Sequence, residues 1–196
     1  MPSKLLGSPK KFSWIRNGLG PDGIHTRLIV EVADEIITPL EHIYNMSIFT
    51  GVVPSDLKIA KVIPIFRKGD KSECCNYRPI SLLNVFNKIL EKLVYSRIVS
   101  FLKKNRIIYT NQFGFRSNHS TNHALINVLD KLYEGLDKGE MAIGVYLDVE
   151  KAFDCINHSI LLDKLQYYGI RGLHGNGFPI ICSIVDNMFR LAIITL

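Results

Sequence analysis

One run of residues governs the predicted architecture of the chain: Met141-Ala142-Ile143-Gly144-Val145-Tyr146-Leu147, continued by Asp148-Val149-Glu150-Lys151-Ala152-Phe153-Asp154. Its apolar first half predicts a buried strand over 141–147 that ends on a carboxylate. A carboxylate at the end of a buried strand is costly to desolvate unless it has a partner. Asp148 could cap a helix that begins near Glu150, or it could hold a divalent metal ion, which prefers carboxylate oxygens. This run alone leaves both interpretations open.

Length and composition are those of a globular protein with one domain or slightly more. The chain has 196 residues, of which 47% are hydrophobic and 21% charged, and this composition argues against disorder. A net charge of +6 suits a polyanionic partner, although many other proteins share this charge. Four cysteines lack CxxC spacing and are expected to be reduced thiols. No signal peptide or membrane-length apolar run is visible, so we expect an intracellular protein, nuclear or cytoplasmic and not secreted.

Hydrophobic periodicity predicts a helix-rich chain with a short strand region. The predicted helices cover residues 27–37, 39–49, 82–102 and 120–136, with further helical turns up to 165. Thr38 before Pro39 marks the predicted start of the second helix. A strand is predicted over 58–66, and a charged turn is predicted over 67–76. Residues 1–20 are expected to be loosely ordered.

One group of basic residues is a candidate for phosphate contacts. Lys61 lies on the predicted strand, Arg67 and Lys68 follow it, and Arg78 comes shortly after. Clustered cations on a hairpin could clamp a triphosphate, because a guanidinium group matches the geometry of phosphate oxygens. The alternative is an ordinary solvated turn.

A second candidate interface is Gln112-Phe113-Gly114-Phe115-Arg116. Its aromatic rings could stack on bases while its cation contacts a nucleic-acid backbone, or its phenylalanines could simply pin a loop. His119 and His123 follow at i, i+4, a spacing that can bind zinc. Because no Glu or Cys completes a zinc site, we interpret them as a histidine pair at a helix start.

The order of these segments resembles the reverse transcriptase domain of non-LTR (LINE-type) retrotransposons, over roughly residues 18–172. The matching motifs are Gly20-Pro21-Asp22-Gly23-Ile24, the stretch 51–70, Asn76-Tyr77-Arg78-Pro79-Ile80-Ser81-Leu82-Leu83, Gln112–Arg116 and Tyr146–Asp154. The resemblance implies an α+β fold: right-hand polymerase fingers plus a partial palm, helix-rich, with a short antiparallel hairpin and an incomplete palm sheet. It also implies a poorly ordered segment over 1–19, a fingers-like region over 20–139 and a partial palm with motif A over 140–172.

The resemblance implies a two-metal site for template-directed nucleotidyl transfer. Asp148 and the carbonyl of Val149 would bind Mg²⁺, while Asp154 would be structural rather than a ligand. Phe153 lies where the family places a steric gate that selects deoxynucleotides; the alternative is a core phenylalanine.

The resemblance also implies the partners, which are an RNA template, a DNA primer and a dNTP. Arg78, with Arg67 or Lys68, would hold the incoming triphosphate. The expected nucleic-acid contacts are Lys61, Gln112, Phe115 and Arg116.

The carboxylates that should complete the metal site lie in a downstream block that this sequence lacks, so the chain is expected to be an inactive fragment. The alternative is a non-catalytic nucleic-acid-binding module or a structural relic. After Gly172 the resemblance ends, where the family continues with a pattern like WF-x-x-YL-x-NR. Back-translation of 174–190 with the frame moved by one base permits WQWFSNYLFNRRQYVS, which fits that pattern. We therefore expect residues 173–196 to be a frameshifted, non-native tail.

Overall fold

The computed structural model describes residues 19–149 and 156–170, and the structural statements below concern these ranges. The chain divides into two units. The described part of the first comprises residues 19–98 and 156–170, and that of the second comprises residues 99–149. Phe153 and the expected tail over 173–196 lie outside the described residues.

The first unit begins with two consecutive helices. Helix α1 spans Thr26–Glu31, and Nδ1 of His25 caps it by accepting a hydrogen bond from the Arg27 backbone N–H at 3.2 Å. Helix α2 spans Ala33–Thr50 and contains Pro39 in its interior, so the predicted break at Thr38 is wrong. The break falls instead at Val32, where the backbone leaves the helical conformation. Packing of the helix against the core offsets the hydrogen bond that proline removes.

The core of the first unit joins α2 to helix α3, which spans Val85–Lys104. Its buried side chains include Leu40, Tyr44, Val85, Ile89 and Leu90. The Tyr44 hydroxyl donates to the backbone carbonyl of Phe86 at 2.8 Å, so its polar atom is satisfied within the apolar cluster. Burial raises the pKa of Tyr44 far above its ordinary value, so the phenol stays protonated.

Between these helices lies a two-stranded antiparallel sheet. Strand β1 spans Ala60–Phe66 and strand β2 spans Tyr77–Leu83, with Ala60 opposite Leu83 at one end and Phe66 opposite Tyr77 at the other. The predicted strand and the predicted hairpin are thus confirmed. The helix predicted from residue 82 starts three residues later, because Leu82 and Leu83 complete β2.

Asn84 connects the sheet to α3. Its side-chain oxygen accepts from the Asn87 N–H at 2.7 Å, which caps the helix, and its amide donates to the Asp56 carbonyl at 3.0 Å. Asn84 is buried, so both polar atoms of its side chain need these partners. The cap fixes the direction in which α3 leaves the hairpin.

The second unit contains the last turns of α3 and helix α4, which spans Thr121–Asp137. Ser120 caps α4, whose start the sequence predicts at about this residue, and the chain leaves the helix through Gly139, which has a φ of 72°. No residue of α4 is buried. Its amphipathic face is therefore only partly covered within the described part of the chain.

The segment 141–149 is irregular, and its large apolar side chains are exposed, with Met141 at 97%, Ile143 at 91% and Leu147 at 90%. The prediction of a buried strand over 141–147 is therefore wrong for this structure. A strand needs a neighbouring strand for its backbone hydrogen bonds, and the sheet of the described residues consists of β1 and β2 alone.

Helix α5, which spans His158–Tyr167, follows in the first unit and is capped by Asn157. Within the described residues, no helix is long and apolar enough to cross a membrane.

Candidate nucleic-acid interface

The β1–β2 hairpin presents two of the predicted phosphate contacts on one face. Side chains alternate between the faces of a strand, so Lys61, Ile63 and Ile65 share a face. The register places Arg78 opposite Ile65 and Ile80 opposite Ile63. All five side chains are exposed. Lys61 lies four residues from Ile65, so roughly 13 Å of strand separates it from Arg78. The result is an apolar strip with a cation near each end.

The turn between the strands holds the other two predicted cations. The Arg67 N–H donates to the Asn76 carbonyl at 2.8 Å, which extends the ladder by one bond, whereas Lys68 lies in the turn itself. The Asn76 side-chain amide donates to the Asp70 carbonyl at 2.8 Å, and this hydrogen bond connects the two ends of the turn. Hydrogen bonds from the Ser72 N–H and then the Ser72 side chain hold the pKa of Asp70 below its ordinary value. Arg67 and Lys68 are thus displayed on an ordered turn.

In the second unit, Arg116 organises the loop that was predicted to bind nucleic acid. Its Nη1 donates to the carbonyls of Tyr109, Thr110 and Gln112, each at 3.1 Å. Gln112 donates in turn to the carbonyl of Gly114 at 3.2 Å. The Arg116 guanidinium therefore holds the loop together, and these three hydrogen bonds occupy one of its nitrogens.

Phe115 stands out from this loop. Its side chain is 87% exposed, and its φ of 58° is rare for a bulky residue. Such strain persists only where the surrounding structure enforces it, and the hydrogen bonds of Arg116 supply that enforcement. The loop thus displays an aromatic ring to solvent, in the arrangement that base stacking requires.

The two histidines act at the helix start, as interpreted from the sequence. Nδ1 of His123 accepts from the Ser120 N–H at 3.1 Å, and the Ser120 hydroxyl accepts from the His123 N–H at 3.4 Å. This reciprocal pair is a capping box. Nδ1 of His119 lies 3.0 Å from the Ser117 carbonyl, and because a carbonyl only accepts, this nitrogen carries the hydrogen.

A cleft of about 310 Å³ opens beside the start of α4. The rings of Phe113, His119 and His123 line it, together with Ile126 and three polar side chains: Asn118, Asn127 and Asp130. This cleft was not predicted from the sequence. Its signal was present, because His123, Asn127 and Asp130 are spaced i, i+4, i+7 and so lie on one helical face.

The predicted metal ligands are exposed. Asp148 and Val149 belong to the irregular segment, and the Val149 side chain is 65% exposed. Among residues 19–149 and 156–170, no three His, Cys, Asp or Glu side chains are grouped so that they could hold a metal ion. One carboxylate and one carbonyl are fewer ligands than a hard divalent cation takes. The described residues therefore do not fit such an ion by themselves.

Comparison with known proteins identifies relatives of the chain. The RNA-directed DNA polymerase from mobile element jockey of Drosophila melanogaster is 32% identical over 153 residues, which are 78% of this chain and 17% of that protein. The protein of the same name from Drosophila funebris is 35% identical over 148 residues, 75% of this chain and 16% of that protein. The probable RNA-directed DNA polymerase from transposon X-element of Drosophila melanogaster is 29% identical over 158 residues, 77% of this chain and 17% of that protein.

This chain thus spans about a sixth of the length of the curated relatives that it matches. The sequence model described as reverse transcriptase (RNA-dependent DNA polymerase) matches residues 66–186, which is more than half of the chain. The match includes strand β2, helices α3 to α5 and the Gln112–Arg116 loop. The chain therefore belongs to the reverse transcriptase (RNA-dependent DNA polymerase) family, among the polymerases of non-LTR retrotransposons.

Proposed function

We propose that this chain is a segment of an RNA-directed DNA polymerase and contributes contacts to an RNA template, a DNA primer and an incoming dNTP. In this proposal residues 20–139 are the fingers of a right-hand polymerase and residues 140–172 are part of its palm. The cationic and apolar face of the β1–β2 hairpin carries the proposal, because its cations are exposed and its strand β2, with Arg78, lies within the family match. Phosphate groups would meet Lys61 and Arg78, while the apolar strip would lie against a base or sugar.

The proposed triphosphate contacts are Arg78 with Arg67 or Lys68, and the proposed nucleic-acid contacts are Lys61, Gln112, Phe115 and Arg116. Reverse transcriptases use divalent metal ions. Asp148 and the Val149 carbonyl are the proposed ligands, for Mg²⁺ in particular, with Phe153 as the proposed steric gate. Because the described residues supply a single carboxylate at Asp148, we expect this chain to bind nucleic acid without extending a primer.

Two assays test the proposal. In the first, the chain is incubated with poly(rA)–oligo(dT), dTTP and Mg²⁺, and no extension is expected. In the second, fluorescence anisotropy measures binding of the same duplex from 50 to 200 mM salt. Arg78→Ala is expected to weaken binding and to reduce the slope of log K against log [salt] by about one.

Arg97→Ala is the matched control, because Arg97 is an exposed arginine that lies on α3 and not on either strand of the hairpin. If Arg78→Ala and Arg97→Ala change the slope equally, the hairpin face is not the binding surface. Extension that disappears in Asp148→Ala would show that the chain does assemble a metal site.

We also propose that residues 173–196 derive from a shifted reading frame. The permitted reading WQWFSNYLFNRRQYVS is the observation that supports this proposal. The family match extends to residue 186 in the given frame and is not part of that support. Sequencing of the gene and its transcript tests it: codons that do not permit the WF…YL…NR reading would exclude a frameshift.

A further inference from the structure

The cleft beside α4 has the features of a site for a small flat ring. Its volume of about 310 Å³ is at the lower end of the range for small-molecule sites. Two of its lining rings lie close together: the centroids of Phe113 and His119 are 5.9 Å apart at an interplanar angle of 50°. The His123 ring continues this series, 6.3 Å from His119. Because these rings are inclined to one another by 50° and 66°, a planar ligand would stack on one of them rather than on all three.

The hydrogen bonds described above fix where the two imidazoles carry their hydrogens. Nδ1 of His123 accepts from the Ser120 N–H, so its hydrogen is on Nε2. Nδ1 of His119 donates to the Ser117 carbonyl, so its Nε2 is an acceptor. The two imidazoles that line the cleft therefore carry one donor and one acceptor at Nε2.

The remaining polar side chains of the cleft add further hydrogen-bond donors and acceptors. Asn118 and Asn127 each provide an amide donor and an amide acceptor, and Asp130 provides acceptors only. A carboxylate repels phosphate, so the cleft is not built for the backbone of a nucleic acid. It suits a ligand that presents adjacent donors together with an acceptor.

Among nucleobases, guanine presents this combination. Its Watson–Crick edge carries the N1–H and N2–H donors beside the O6 acceptor, whereas adenine places an acceptor at N1, where a carboxylate would repel it. We infer that the cleft formed by Phe113, His119, Asn127 and Asp130 binds one unpaired guanine base of a single-stranded nucleic acid. This inference rests on the proposed nucleic-acid-binding function and names a base preference within it.

Fluorescence anisotropy with labelled RNA pentamers tests the inference. UUGUU is expected to bind about tenfold more tightly than UUAUU, with UUIUU between them, because inosine lacks the N2 donor. Asp130→Asn is expected to abolish the preference for guanine. Asp137→Asn makes the same change in charge on the same helix but outside the cleft, and this variant is expected to keep the preference for guanine. Phe113→Leu is expected to weaken binding of all three pentamers.

Equal affinity of the wild-type chain for UUGUU and UUAUU would overturn the inference. So would a guanine preference that survives in Asp130→Asn. Competition with free nucleosides shows whether the cleft binds the base alone or needs the RNA strand. If it binds the base, guanosine is expected to displace UUGUU and adenosine is not. If the pentamers bind with equal affinity but Arg78→Ala still reduces the salt dependence of duplex binding, only the inference about the cleft fails. If no oligonucleotide binds at any salt concentration, the proposed function fails as well.

Discussion

Glu91 on α3 is a partly buried carboxyl whose ionisation affects the fold. Burial raises the pKa of this carboxyl to about 7, and the ammonium group of Lys88 partly offsets the rise. The Asn87 amide donates to Glu91 at 3.4 Å, a long hydrogen bond that compensates little of the burial. At neutral pH the native state therefore holds a carboxyl that the unfolded state ionises readily.

This difference makes stability depend on pH. Between the ordinary pKa of 4.5 and about 7, the native state binds more protons than the unfolded state, so stability falls as pH rises through this window and then levels off. Glu91→Gln removes the titration. We expect the variant to be more stable than the wild-type chain by about 2 kcal/mol at pH 8, and nearly equal to it at pH 4.5.

Urea unfolding at both pH values measures the two free energies of unfolding. Glu140→Gln is the control, because Glu140 is exposed, and it should follow the wild-type chain. If Glu91→Gln raises the free energy of unfolding equally at both pH values, ionisation of Glu91 is not the cause of the gain in stability.

At the scale of elements, α4 depends on its N-terminal cap. None of its residues is buried, so local interactions contribute most of what keeps it helical within the described part of the chain. Ser120→Ala removes the hydroxyl that accepts from the His123 N–H, and we expect a loss of about 1 kcal/mol of helix stability. Hydrogen exchange of the amides in 121–124 measures the change.

Thr121→Ala is the matched control for this prediction. It also deletes a hydroxyl, one position further along, but it leaves the capping box intact. Faster exchange in Ser120→Ala alone would confirm the role of the cap, whereas equal exchange in both variants would contradict it.

At the scale of the whole molecule, exposed apolar surface is the dominant feature. Residues 141–147 contain no charge, and Met141, Ile143, Val145 and Leu147 are each at least 77% exposed. Such a run favours pairing between chains, because extended apolar segments form intermolecular strands. We expect self-association that rises with protein concentration, and we expect Val145→Lys to suppress it, as measured by sedimentation velocity.

Gln166→Lys adds the same charge at an exposed polar position on α5 and is the control. If it suppresses association as strongly as Val145→Lys, net charge rather than the apolar run is responsible.

The sequence predicted those elements whose position depends on neighbouring residues in the chain. Ser120 before an amphipathic run gave the start of α4, and the β-branched residues around Ile63 gave β1. Pro39 misled the prediction because α2 continues through it to reach the core. The prediction of a strand over 141–147 failed because a strand needs a neighbouring strand, and no local sequence pattern supplies one.

The candidate site was predictable to a similar extent. The cations of the hairpin could be named from sequence, but their common face required the register. Arg116 was expected to contact nucleic acid, and its three hydrogen bonds to loop carbonyls could not be read from residue order. The cleft was missed because Phe113 and Asp130 are far apart in sequence and meet through the turn at Asn118.

The exposure of residues 141–149 has a consequence for handling the protein. A protease that cleaves after large apolar residues needs an accessible, unpaired backbone, and Tyr146 and Leu147 are 87% and 90% exposed in such a backbone. Brief digestion with chymotrypsin should therefore cut here before it cuts within the hairpin or α3. The cut would leave an N-terminal fragment that retains the hairpin but lacks Asp148, and this fragment would separate nucleic-acid binding by the hairpin from metal binding without any mutation.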